Sequence, residues 1–111
     1  MYSHVFRSGQ DPAQHPTVIL IHGLGGTLNI WDPIASVLEH RFSVLRYDLR
    51  GHGQSDVPAG DWSLEDFVGD LEAIFIDESL PHAHLVGFSL GGLIVQQFAL
   101  SYPERVGQLV I

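Results

Sequence analysis

The chain has 111 residues, enough for one domain with a modest hydrophobic core. Its 13 acidic residues face 5 arginines and no lysine, a net charge of −8, so no basic stripe exists to hold nucleic acid or an anionic bilayer. The absence of cysteine excludes disulfides, thiol catalysis and cysteine zinc sites and is compatible with a reducing cytoplasm, the expected location.

Met1 to Arg7 lacks the charged and apolar regions of a signal peptide and reads as a short edge strand, with residues 8 to 16 as the turn after it. Val18-Ile19-Leu20-Ile21 is a buried strand, followed by the glycine-rich loop His22-Gly23-Leu24-Gly25-Gly26. A helix is expected to start at Asp32-Pro33, with Asp32 as N-cap and Ile34, Val37 and Leu38 as the buried face. Val44-Leu45-Arg46-Tyr47 is a second buried strand. It runs into a polar loop, Asp48 to Asp56. The S-x-x-D pattern from Ser63 to Asp66 predicts a capped helix, and Leu64, Phe67, Val68, Leu71, Ile74 and Phe75 then recur at helical spacing. Leu85-Val86-Gly87 is a third buried strand. A third helix follows Ser89 and ends near Tyr102-Pro103, and Leu109-Val110-Ile111 is a last strand. Strands alternating with helices predict an α/β fold with a mostly parallel sheet and helices on both faces. The longest mostly apolar stretch, Leu85 to Val95, is too short to span a bilayer.

The chemistry concentrates at Gly87-Phe88-Ser89-Leu90-Gly91, between a strand and a helix. A serine at such a turn is held in a strained backbone conformation with its hydroxyl exposed, and the positions two before and two after must be nearly free of side chain. Gly87 and Gly91 satisfy that requirement, which makes Ser89 the candidate nucleophile. Acyl transfer builds negative charge on a carbonyl oxygen, and backbone N–H groups aimed at it contribute a few kcal/mol. The loop His22-Gly23-Leu24-Gly25-Gly26 lets the main chain approach, so the Leu24 and Leu90 amides are the expected donors. The chain passes from the Tyr47 strand back across the Ile21 strand to the Leu85 strand, so both loops meet where strand order reverses.

Three other patterns are weaker. Gly23-x-Gly25 with Asp48 imitates a dinucleotide fingerprint, but Leu28 occupies the place of its third glycine and the helix starts too late. Asp48, His52 and Ser55 imitate a local triad, yet short polar side chains with two glycines are expected to build a surface loop and no chemistry. His82-x-His84 lacks a third ligand and is expected to be two exposed histidines. No metal or cofactor is expected.

Together these motifs resemble the α/β-hydrolase family: H-G-x-G-G, Trp31-Asp32, D-x-R-G-H-G-x-S-D from Asp48, G-F-S-L-G-G at the elbow, and Tyr102-Pro103-Glu104-Arg105-Val106. The resemblance covers nearly the whole chain, residues 1–111, read as a partial domain through the sixth of eight strands. Phe42 to Pro58 and the elbow look like 3-oxoadipate enol-lactonases, and similar elbows occur in carboxylesterases. A serine needs a base, in this family a histidine oriented by a carboxylate, in the chain order serine, acid, histidine. Residues 90 to 111 hold no histidine or aspartate, so both partners are expected beyond Ile111, in a larger hydrolase of which this is the N-terminal part. The resemblance implies hydrolysis of a small carboxylic ester or lactone through an acyl-serine. C–C bond hydrolysis or perhydrolysis on the same scaffold is the alternative, and a non-catalytic, truncated or ligand-binding protein is the competing class.

Overall fold

A computed structural model describes residues 1–111. Five strands form one sheet: β1 (Val5–Gly9), β2 (Thr17–Ile21), β3 (Ser43–Tyr47), β4 (Ala83–Gly87) and β5 (Val106–Val110). Their order across the sheet is β1-β3-β2-β4-β5. Only β1 runs antiparallel, pairing Val5 with Tyr47 and Gly9 with Ser43. The other neighbours are parallel, with Ile21 opposite Tyr47 on one side and Gly87 on the other. The expected edge strand and four parallel strands are all present.

β2 lies inside the sheet and is buried on both faces, which is why its sequence is uninterrupted rather than alternating. Ile19 and Ile21 face one core with Leu45, Tyr47 and Leu85, against α2 (Leu64–Asp77) and α3 (Leu90–Ser101). Phe75 of α2 stacks on Phe98 of α3 at 4.8 Å between centroids. Val18 and Leu20 face a smaller core with Val44, Trp31 and Ala35, under α1 (Asp32–Leu38). The Ser63 cap is as expected: its N–H donates to the Asp66 carboxylate at 2.9 Å, closing a capping box.

Two expectations for α1 are corrected. Trp31 occupies the N-cap position after a single 3-10 turn, and Asp32 is already helical, with its carboxylate paired to the Arg46 guanidinium. Arg46 is buried, its guanidinium 5.1 Å from the Phe6 ring, and a buried cation needs its anion more than a seven-residue helix needs a cap. The buried face of α1 is also rotated. Ala35 is buried and Leu38 half-buried, while Ile34 and Val37 are exposed, because α1 touches the sheet along a single narrow stripe. At the far edge β5 begins three residues before the expected run, and Leu109 and Val110 are exposed because β4 is its one neighbour. No helix is long and apolar enough to cross a membrane.

Candidate active site

Ser89 adopts φ +57° and ψ −119°, between the end of β4 and the first residue of α3. That conformation costs a non-glycine residue about 1–3 kcal/mol, and the surrounding packing enforces it. A Cβ on Gly87 would run into the Gly91 carbonyl, and one on Gly91 into the carbonyl of Ile21. The Phe88 N–H donates to that same Ile21 carbonyl at 3.0 Å, extending the β2–β4 pairing into the turn. The glycine pattern around the elbow is therefore a record of backbone approaching backbone.

The glycine loop after β2 arrives from the other side. A Cβ on Gly23 would lie 2.9 Å from the Ser89 Cβ and 3.1 Å from the Phe88 carbonyl, so the two segments touch. Within the loop, Gly26 N–H donates to the Gly23 carbonyl (3.1 Å), Gly25 N–H to His52 Nε2 (2.8 Å) and Leu28 N–H to Asp48 Oδ1 (2.8 Å). The Leu24 and Leu90 amides have no partner inside the chain. Two unpaired backbone N–H groups thus lie in the segments that meet at Ser89.

His22 holds the peptide unit that carries the first. The ring is wholly buried; its Nδ1 lies 2.7 Å from the Gly23 carbonyl and its Nε2 accepts from the Leu49 N–H at 3.0 Å. A carbonyl only accepts and an amide only donates, so the ring is neutral with its proton on Nδ1. Burial holds the His22 pKa below its ordinary 6.5, opposed by the bond to Gly23 and by Asp48 and reinforced by His52. The Gly23 carbonyl and the Leu24 N–H belong to one planar trans unit and point opposite ways. Pulling the carbonyl toward His22 turns the amide away from it.

The polar loop after β3 is the frame for this arrangement. Asp48 accepts from Leu28 and Gln54 amides at 2.8 and 3.0 Å, and the Ser55 hydroxyl donates to the Asp48 carbonyl at 2.6 Å while accepting from His4 N–H at 2.8 Å. His52 donates from Nδ1 to the Arg50 carbonyl at 2.9 Å and accepts from Gly25. The apparent Asp-His-Ser triad is committed to backbone groups throughout. His82 is exposed, but His84 is half-buried: Nδ1 accepts from the Gln108 N–H at 2.8 Å, correcting the expectation of two exposed rings. A ring next to β5 gains an amide donor that an exposed ring would leave to water. No group of three or more metal-ligating side chains is assembled.

Other features escaped the sequence. Arg50 and Asp70 form a bidentate pair at 2.7 and 2.8 Å, each side chain 12% exposed, with the guanidinium 5.7 Å from the Trp62 ring and 5.9 Å from the Phe67 ring. This pair pins the loop after β3 to α2. The apolar side chains of Leu24 and Phe88 are 76% and 60% exposed.

Comparison with known proteins places this geometry in context. The model of the "alpha/beta hydrolase fold" family matches residues 16–111. The protein named "Putative carbamate hydrolase RutD" from Escherichia coli is 39% identical over 99 residues, covering 88% of this chain and 37% of that protein. Among solved structures, the enol-lactonase from Burkholderia xenovorans superposes with a TM-score of 0.93 at 32% identity, covering 96% of this chain and 41% of its own. A hydrolase from Pseudomonas aeruginosa superposes with a TM-score of 0.91 at 37% identity, covering 96% and 40%. The chain thus spans about two fifths of the length of these relatives. It belongs to the α/β hydrolase fold family, and its relatives there are hydrolases.

Proposed function

We propose that these residues supply the nucleophile and the oxyanion-binding amides of a serine hydrolase acting on small carboxylic esters or lactones. The Ser89 oxygen adds to the substrate carbonyl while its proton passes to a base. The carbonyl oxygen, now an anion, accepts from the Leu24 and Leu90 amides. Collapse of this intermediate expels the alcohol and leaves an acyl-serine, which water then hydrolyses. The base cannot be His22 or His52, whose ring nitrogens are both engaged. It is assigned, with its orienting acid, to a segment following residue 111 in the whole protein.

The observation that carries the reading is the strained Ser89 turn, with Gly23 pressed against it and an unpaired amide on either side. The likeness to an enol-lactonase supports a lactone or ester substrate. The likeness to the RutD protein supports a second substrate class, a carbamate, attacked through the same intermediate but leaving a carbamoyl-serine. The test is to treat the whole protein with a fluorophosphonate probe and to assay ester, lactone and carbamate substrates. Labelling at Ser89, with turnover abolished in Ser89→Ala, is expected. Turnover retained by that variant sinks the mechanism. Faster hydrolysis of the carbamate moves the substrate assignment without moving the nucleophile.

A further inference from the structure

We propose that His52 is a positioning residue for the oxyanion donor, fixing the second of the two peptide planes that flank Leu24. The inference rests on the serine hydrolase reading above and concerns how its Leu24 amide is held. The first plane, Gly23–Leu24, is fixed at its carbonyl by His22 and by the Gly26 N–H. The second, Leu24–Gly25, carries the Gly25 N–H that donates to His52 Nε2 at 2.8 Å. A plane anchored only at its carbonyl oxygen can still pivot about that point, carrying the Leu24 N–H with it, unless the chain after Leu24 is also held.

Packing does not supply that second restraint. Gly25 sits at φ +81° with nothing within 4 Å of where a Cβ would be, and the Leu24 side chain is mostly exposed. The N–H to imidazole bond is therefore the tie between this part of the loop and the rest of the molecule. The ring can accept there only while Nε2 is bare. That condition is set by the Arg50 carbonyl, which accepts a hydrogen bond from Nδ1–H at 2.9 Å and so keeps the proton on Nδ1, and Arg50 is itself anchored to α2 through Asp70. A rigid connection runs from Asp70 through Arg50 and His52 to Gly25. The His22 and His52 rings lie 5.2 Å apart and grip the loop from two directions.

The role differs from general structural support in what it alters. Loosening the Leu24 plane weakens a bond made to the transition state, so kcat should fall while KM stays nearly constant. His52→Ala in the whole protein should lower kcat by roughly tenfold, less than outright loss of one oxyanion donor. His52→Gln places an amide oxygen where Nε2 was and should recover most of that loss. Independently of turnover, a nitrogen–nitrogen coupling across the Gly25 N–H to His52 bond should be visible by NMR, and the Leu24 amide resonance should shift in His52→Ala. An unchanged kcat in His52→Ala, a Gln variant no better than the Ala variant, or absence of the coupling overturns the assignment. The hydrolase reading fails separately, through turnover that survives Ser89→Ala. If His52→Ala does not fold, the Gln variant and the coupling decide.

Discussion

Gly23 and Ser89 are separated by 66 positions in the chain yet touch so closely that a methyl group on Gly23 would come within 2.9 Å of the serine Cβ. The contact joins the loop after β2 to the turn after β4, bringing the expected nucleophile beside an expected oxyanion donor. Gly23→Ala should displace one of them. In the whole protein we expect probe labelling of Ser89 to slow by at least about tenfold, on the scale of a lost oxyanion donor. Unaltered labelling, measured as a second-order rate, would contradict the contact.

The backbone strain at Ser89 gives a second expectation. At φ +57° glycine is at ease and alanine is not, so Ser89→Gly should be more stable than Ser89→Ala by about 1 kcal/mol, although neither reacts. Denaturant midpoints of the two variants measure this directly. Equal stability, or a less stable glycine variant, would mean the turn is relaxed.

Gly91 and Gly69 are both helical glycines and should respond in opposite ways. A Cβ on Gly91 runs into the Ile21 carbonyl, so Gly91→Ala should cost about 2–4 kcal/mol or prevent folding. Gly69, on the exposed side of α2, has nothing within 4 Å, and Gly69→Ala should stabilise by up to about 1 kcal/mol. Thermal unfolding of both compares them in one experiment.

Much of this was legible beforehand, and the reason is local. The elbow is written in glycines because backbone meets backbone there, and the Ser63 cap is written in a three-residue spacing. What could not be read depends on partners far along the chain. Asp32 reads as a cap until Arg46 is placed beside it. Ile34 and Val37 have the right spacing for a buried face, but spacing does not say what covers it. The roles of His52 and of the Arg50–Asp70 pair depend on groups 20 to 27 positions away, which no motif encodes. His84 reads as exposed for the same reason, its partner being 24 positions distant in β5.

The buried His22 ring gives a pH dependence with a definite sign. Its folded pKa lies below 6.5, chiefly because burial disfavours the charged ring, so on acidification the unfolded chain takes up the proton first. Its contribution is complete above about pH 6.5 and declines below it, with a slope of at most about 1.4 kcal/mol per pH unit, until the folded ring titrates. His22→Asn can still donate to the Gly23 carbonyl but does not titrate. Urea unfolding between pH 5 and 7.5 should show a flatter profile for the variant. Parallel profiles would remove His22 as the cause.

The 111-residue chain made alone should self-associate. Leu109 and Val110 are exposed on an edge strand, and Ile34 and Val37 add exposed apolar surface on α1. Unprotected edges of this kind pair with other chains. Size-exclusion chromatography across a concentration series should show a shift to larger species, and a monodisperse monomer throughout would refute it.

The strand order also has a consequence for how the molecule comes off the ribosome. β2 is made early, but its partners are β3 and then β4, whose residues 83–87 are synthesised more than sixty positions later. Until β4 emerges, one long side of β2 has no neighbour and Gly23 has nothing to rest against. The event that completes the middle of the sheet is the same one that bends Ser89 into place. A nascent chain therefore cannot pair β4 with β2 without also bringing the Ser89 turn against the loop that follows β2.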